Sequence, residues 1–212
     1  MPTQAKAVVD RNLVRAGYFM EIHRTLHNAP GAPTLPIREL PRAAVVFAVG
    51  ALDAYLGHVS AEVLVARGRH AVLTTDDQGI LEKLASDVKS LALEVAFVED
   101  HQSRLDALQR AITNYFEERI SNHGWKAVTA TVQRVGGDVS AFRARLVNVG
   151  YAEPQTLLEE YTTLRHDVVH RGMSPPCRRP YAEGCLAFIQ AVADKIDEAA
   201  VNTLDAIAAP EG

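Results

Sequence analysis

Leu157-Leu158-Glu159-Glu160-Tyr161-Thr162-Thr163-Leu164-Arg165-His166-Asp167-Val168-Val169-His170-Arg171-Gly172 is the stretch on which the reading of this chain turns. Leu157, Tyr161, Leu164 and Val168 recur at the spacing of one helical face, so a helix with a single buried stripe is predicted here. Gly172 and the prolines after it end that helix, because glycine accepts a left-handed cap and proline cannot continue the ladder. Arg165 is a permanent planar cation with several donors, and His170, five positions on, exchanges protons near neutral pH. An arginine for a phosphate and a histidine for a proton suffice for one reaction class, cleavage of an RNA phosphodiester without a metal.

Outward from this helix the pattern stays helical. Val9, Leu13, Ala16 and Met20 mark a first helix, and the prolines and glycine between Asn28 and Pro36 stop it. A second runs from about Ile37 to Arg67. Leu81, Leu84, Val88, Leu91, Val95 and Val98 mark a third, and Leu105, Leu108, Ile112 and Tyr115 a fourth. A shorter pair is split by Gly136-Gly137, with Asp138 as N-cap of the second member. The last helix, about Tyr181 to Ala208, places Leu186, Ile189, Ala193, Ile196, Ala200, Leu204 and Ile207 on one face. No alternating strand pattern of useful length occurs, so the fold class is all-α, a helical bundle.

Composition narrows the partners. The chain has 212 residues, 48% hydrophobic, with a net charge of −4, which fits one soluble domain and not a general nucleic-acid coat protein. The positive charge is instead local. Residues 165–180 hold Arg165, Arg171, Arg178 and Arg179 against one acid, Asp167, so phosphate is attracted there. Cys177 and Cys185 make no zinc spacing, and a reducing cytoplasmic compartment is expected. The N-terminus lacks an apolar signal core, and the longest charge-free apolar run, Ala43–Leu52, is half of the roughly 20 residues of a membrane span, so no membrane partner is expected.

On a helical wheel, at about 100° per residue, Arg165 and His170 lie about 140° apart and outside the apolar stripe. Val169, an apolar residue, lies on the otherwise polar face between Arg165 and His166. A second copy of the same helix would cover it and bring Arg and His from two chains together. Two other readings compete. Cations near a helix C-terminus favourably meet its dipole, so this is also what a solvated helix end looks like. His166 and His170, at i and i+4, have the spacing of a two-histidine metal site, although no Glu follows His166 and no third ligand is evident. No metal or other cofactor is expected.

The Arg-x4-His run, with polar His166 directly after Arg165, resembles the signature of the HEPN superfamily. Upstream, Glu39-Leu40-Pro41-Arg42-Ala43-Ala44-Val45-Val46 and Ala51-Leu52-Asp53-Ala54-Tyr55-Leu56 resemble the R-A-x-V…A-L-[DE]-x-[YF] helix of the RiboL-PSP-HEPN type. The resemblance implies a single HEPN-like domain over residues 1–212, with core helices at about 3–27, 37–67, 154–172 and 180–208 and a helical insertion at about 76–149. It implies a homodimer joined through the motif helices, with one composite site at the two-fold axis. It further implies a metal-independent endoribonuclease of a toxin–antitoxin or anti-phage system, with RNA as substrate and an antitoxin or other defence protein as partner. Other members of the superfamily are non-catalytic RNA-binding or protein-interaction modules. By position, Arg165 and His170 are the catalytic pair and His166 the polar accessory. Where members controlled by a nucleotidyltransferase carry Tyr two residues after the motif His, this chain has Gly172, so that mode of control is not expected.

Three further expectations complete the site. Asp53 has no other ionisable residue between Ala43 and Leu52, and an unpaired buried charge is costly, so it should meet a cation of the motif helix. Asp167, at i+3 from His170, is placed to fix its tautomer. Arg171, Arg178 and Arg179 are the expected RNA-binding cations. The expected reaction is transesterification by the RNA 2′-hydroxyl, with histidine as general base and acid and Arg165 on the phosphate. Tyr55 is expected in the core or at an interface.

Overall fold

The computed structural model describes residues 1–27, 34–87, 100–119 and 124–209. They form eight α-helices, with no strand among the described residues. In chain order these are α1 (Gln4–Leu26), α2 (Leu35–Arg69), α3 (Thr75–Asp87), α4 (His101–Arg119), α5 (Gly124–Arg134), α6 (Val139–Asn148), α7 (Pro154–Arg171) and α8 (Arg179–Ala208). The all-α architecture read from the sequence is therefore present. Of the third helix's expected stripe, Val88, Leu91, Val95 and Val98 lie outside the described residues.

Helix α2 is the axis of the molecule. Its 35 residues pack against α1, α8, α4, α7 and α5. At about 1.5 Å per residue it is roughly 50 Å long. It begins two residues earlier than its sequence pattern indicates, because Pro36 fits the first turn, where its missing N–H has no partner to lose. Its composition and length would also allow a membrane crossing, and 61% of its most apolar window is buried inside the bundle, which marks it as the core helix of this fold.

Two apolar clusters flank α2. The larger joins its N-terminal two-thirds to α1, α5, α6, α7 and α8, through residues such as Met20, Leu52, Val128, Leu146, Leu158, Phe188 and Ile196. The smaller joins Ala61, Leu64 and Val65 to Ile80, Leu84, Ile112 and Phe116 of α3 and α4. Each fully buried side chain of this size contributes about 1.5–3 kcal/mol. The expected insertion thus has two parts of different character: α3 and α4 build the second cluster, whereas α5 and α6 belong to the main core. A buried polar network joins the two. Arg67 Nη1 donates to both oxygens of Asp77, at 3.4 and 3.2 Å, and to the Arg134 carbonyl at 2.8 Å. The Arg134 guanidinium lies 4.9 Å from the Phe116 ring centroid.

The chain ends are fastened as well. Thr3 caps α1 by accepting from Lys6 N, and its own N–H and hydroxyl donate to Asp197 Oδ1 of α8, at 3.2 and 2.5 Å. Lys6 is buried between Asp10 and Asp194. Burial alone would lower its pKa, but its hydrogen bonds to the two carboxylates outweigh that and raise it.

Candidate functional site

Helix α7 starts with Pro154 in its first turn and ends at Gly172, whose φ of 61° is the left-handed cap expected of glycine. Met173 N–H closes the motif on the Asp167 carbonyl at 3.0 Å. The buried face is rotated from the one read in the sequence. Pro154, Leu158, Tyr161 and Leu164 are buried, whereas Leu157 and Val168 are only half-buried. Leu158 stacks over Tyr161 and Leu164 at three-residue steps, and the main core lies on that side.

The rotation turns Arg165 toward α2. Arg165 Nη1 lies 3.4 Å from Asp53 Oδ2, and the two side chains are 23% and 14% exposed, low enough for the pair to be weakly screened. The cation that the sequence demands for Asp53 is thus Arg165. Tyr55, two residues on, is in the core and donates to the Ala193 carbonyl at 3.2 Å.

Arg165, His166, Asp167, His170 and Arg171 border one cleft of about 340 Å³, together with Thr162 and Thr163. Every one of these residues comes from α7, so the cleft has one wall. The His166 and His170 rings are 5.0 Å apart, and both side chains are exposed. Asp167 does not orient His170 as expected. Its carboxylate accepts from Arg171 Nη1 at 3.0 Å, one turn further on, because a guanidinium–carboxylate bond is charge-assisted at both ends. Val169 and Met173, 49% and 50% exposed, stand uncovered beside the cleft. Among the described residues, no group of three or more His, Cys, Asp or Glu side chains is placed to hold a metal ion.

The remaining expected cations are dispersed. Arg178 caps α8 and is exposed, with no carboxylate partner among the described residues. Arg179 Nε is 3.7 Å from Glu183, which also receives Arg24 at 2.7 Å. The loop carrying these residues is anchored by a residue whose role is not legible in the sequence. Arg42 is buried and donates from Nε to the Pro175 carbonyl at 3.1 Å and from Nη1 to Glu39 at 3.1 Å. Thr162 and Thr163 also line the cleft, and their place one turn before Arg165 and His166 is the sequence signal for them.

The N-terminal half of α7 has the opposite charge. Glu159, Glu160 and Asp167 line a neighbouring groove of about 440 Å³ with Tyr181, and it shares Thr163 and Asp167 with the cleft. Burial, with help from Glu160, pushes the Tyr181 hydroxyl up to about 12, so it stays protonated. Cys177 also stays protonated at neutral pH, since burial outweighs the pull of Arg42 and pushes its thiol up to about 11. Comparison of the chain with protein-family models, curated proteins and solved structures finds no match.

Proposed function

We propose that this chain is a metal-independent endoribonuclease of HEPN-like fold, acting as a homodimer at a site shared across a two-fold axis. The observation that carries this reading is the one-walled cleft: Arg165, steered by Asp53, and His170 border it, and among the described residues no second helix lines its other side. The exposed Val169 and Met173 beside it support a second copy as the missing wall. Acidic Glu159 and Glu160 repel a phosphate and favour its binding at the C-terminal half of α7.

In the proposed reaction His170 takes the proton from an RNA 2′-hydroxyl. The 2′-oxygen then attacks the adjacent phosphorus, and the bond to the 5′-oxygen breaks. The partner's His170 gives a proton to that leaving oxygen, leaving a 2′,3′-cyclic phosphate and a 5′-hydroxyl. Arg165 stabilises the charge developing on the phosphate, and Asp53 positions Arg165. His166, in ring contact with His170, takes the orienting role that Asp167 does not fill. Arg171 and Arg178 extend the positive surface for RNA, and Arg179, paired with Glu183, contributes less. The HEPN resemblance supports a toxin or anti-phage setting in the cytoplasm, with an antitoxin or defence protein as partner. A second reading, a non-catalytic binding module of the same fold, is favoured by the Asp53–Arg165 pair, which offsets charge a phosphate would otherwise meet.

Labelled RNA incubated with the purified chain tests the two readings. Cleavage should survive EDTA, spare DNA, and fall by about 10²–10⁴-fold in Arg165→Ala and His170→Ala. Mixing those two variants should restore well under about a tenth of the wild-type rate, because acid and base both come from His170. Loss on chelation with recovery by zinc would point to His166 and His170 as metal ligands. A monomer by light scattering, or no cleavage of any RNA, would sink the shared-site enzyme.

A further inference from the structure

A cleft of about 810 Å³ lies at the far end of the bundle, about 25 Å along α2 from Asp53 at 1.5 Å per residue. It opens between the end of α2, the α5–α6 turn and the C-terminal third of α8. Its volume is within the roughly 300–1,000 Å³ of small-molecule sites. Three features of the chain build it. Gly136 and Gly137 let the turn press onto α8: a Cβ on Gly136 would stand 2.4 Å from Thr203 Oγ1, and one on Gly137 2.9 Å from Val132. Small residues, Ala141, Ala199 and Ala206, keep the space between the helices open. Ala71, in the turn that follows α2, has φ 56° and is the only non-glycine with positive φ among the described residues. That strained residue sets its neighbours His70 and Val72 at the cleft wall.

The lining has two chemical parts. Val72, Val132, Phe142 and Ile207 make an apolar body. Arg145 and Lys195 supply cations on facing helices, α6 and α8. Both converge on one carboxylate, that of Glu198, which lies outside the lining; Arg145 Nη1 is 3.4 Å from it, and Lys195 Nζ is hydrogen-bonded to it. This shows that the two cations can meet around a single anion. We infer that this cleft is a binding site for a small amphiphile with an apolar body and one phosphate or carboxylate head, which Arg145 and Lys195 hold in competition with Glu198. The inference is independent of the ribonuclease reading, since no residue is common to the two sites.

Titration calorimetry of the full chain with AMP, dodecanoate and inorganic phosphate, without RNA, tests it and separates a nucleotide from a fatty acid. One of the two amphiphiles should bind once per chain, tighter than about 1 mM, and inorganic phosphate at least about tenfold more weakly. Arg145→Gln with Lys195→Gln should weaken binding about tenfold or more, the usual weight of charge-assisted hydrogen bonds. Glu198→Gln should strengthen it by freeing both cations. Ala206→Phe, at an exposed position that leaves the core intact, should fill the cleft and abolish binding. The proposal is overturned if neither amphiphile binds, if phosphate alone binds as well, or if the double glutamine or Ala206→Phe variant, folded by circular dichroism, binds like wild type.

Discussion

Two arginines of this bundle each face an aspartate, one pair at the middle of α2 and one at its C-terminal end. Arg67 is buried with Asp77, spans both of its carboxylate oxygens, and also donates to the Arg134 carbonyl. Arg165 meets one oxygen of Asp53 and keeps part of its surface on an open cleft. The same ion pair therefore has two meanings, set by what the remaining donors find. A guanidinium enclosed by acceptors holds helices together; one whose remaining donors face an open cleft beside a histidine is the arrangement the proposed function uses.

That contrast can be broken by measurement. Arg67→Ala leaves Asp77 buried and unpaired, and should cost about 3–5 kcal/mol in urea unfolding. Arg165→Ala, at a pair only 23% and 14% exposed but open to the cleft on one side, should cost less, about 1–2 kcal/mol. Equal losses would erase the distinction. Replacing both partners, as Arg67→Met with Asp77→Leu, should recover much of the deficit, because no buried charge is then stranded.

A finer cut is Asp53→Asn, which keeps shape and removes charge. Cleavage should drop roughly tenfold as Arg165 loses its positioning carboxylate, with thermal stability nearly unchanged and partial rescue by Asp53→Glu. Full activity in Asp53→Asn would strip Asp53 of its positioning role.

The smallest effect concerns His23, buried on α1 near Arg179, with its Nδ1 unpartnered among the described residues. Burial lowers its pKa below the ordinary 6.5, and His27 and Arg179 push the same way. The unfolded chain therefore takes up a proton at a higher pH than the folded one. Stability is full above pH 6.5 and declines as pH falls through 6.5 toward the lowered folded value. The difference in Tm between pH 7 and pH 5 should narrow in His23→Gln; an unchanged difference would show that carboxylates alone carry the acid dependence.

The sequence was legible where local chemistry leaves one solution. The α1 stripe Val9, Leu13, Ala16, Met20 is buried as spaced, Asp138 caps α6 by accepting from Ala141 N, and Gly172 ends α7. Asp53 found its cation because a carboxylate in an apolar helix needs one. Legibility failed where two local answers were equal or the partner was remote. Asp167 had Arg171 and His170 both within a turn, and charge chose between them. In α8 the expected stripe missed Cys185, Phe188 and Val192, all fully buried, because neighbours cover this helix over a wider arc than one stripe. Arg42 reaches Pro175, 133 positions away, which no periodicity reports.

The clasp of Thr3 on Asp197 ties together residues 194 positions apart. During synthesis, α1 and α2 emerge well before α8, the helix that seals their apolar faces. Until α8 arrives, the nascent chain carries α7 without its final support. A bundle closed this way cannot complete its core until α8 is free to pack, so the long-range contacts of α8 set the last step of its assembly.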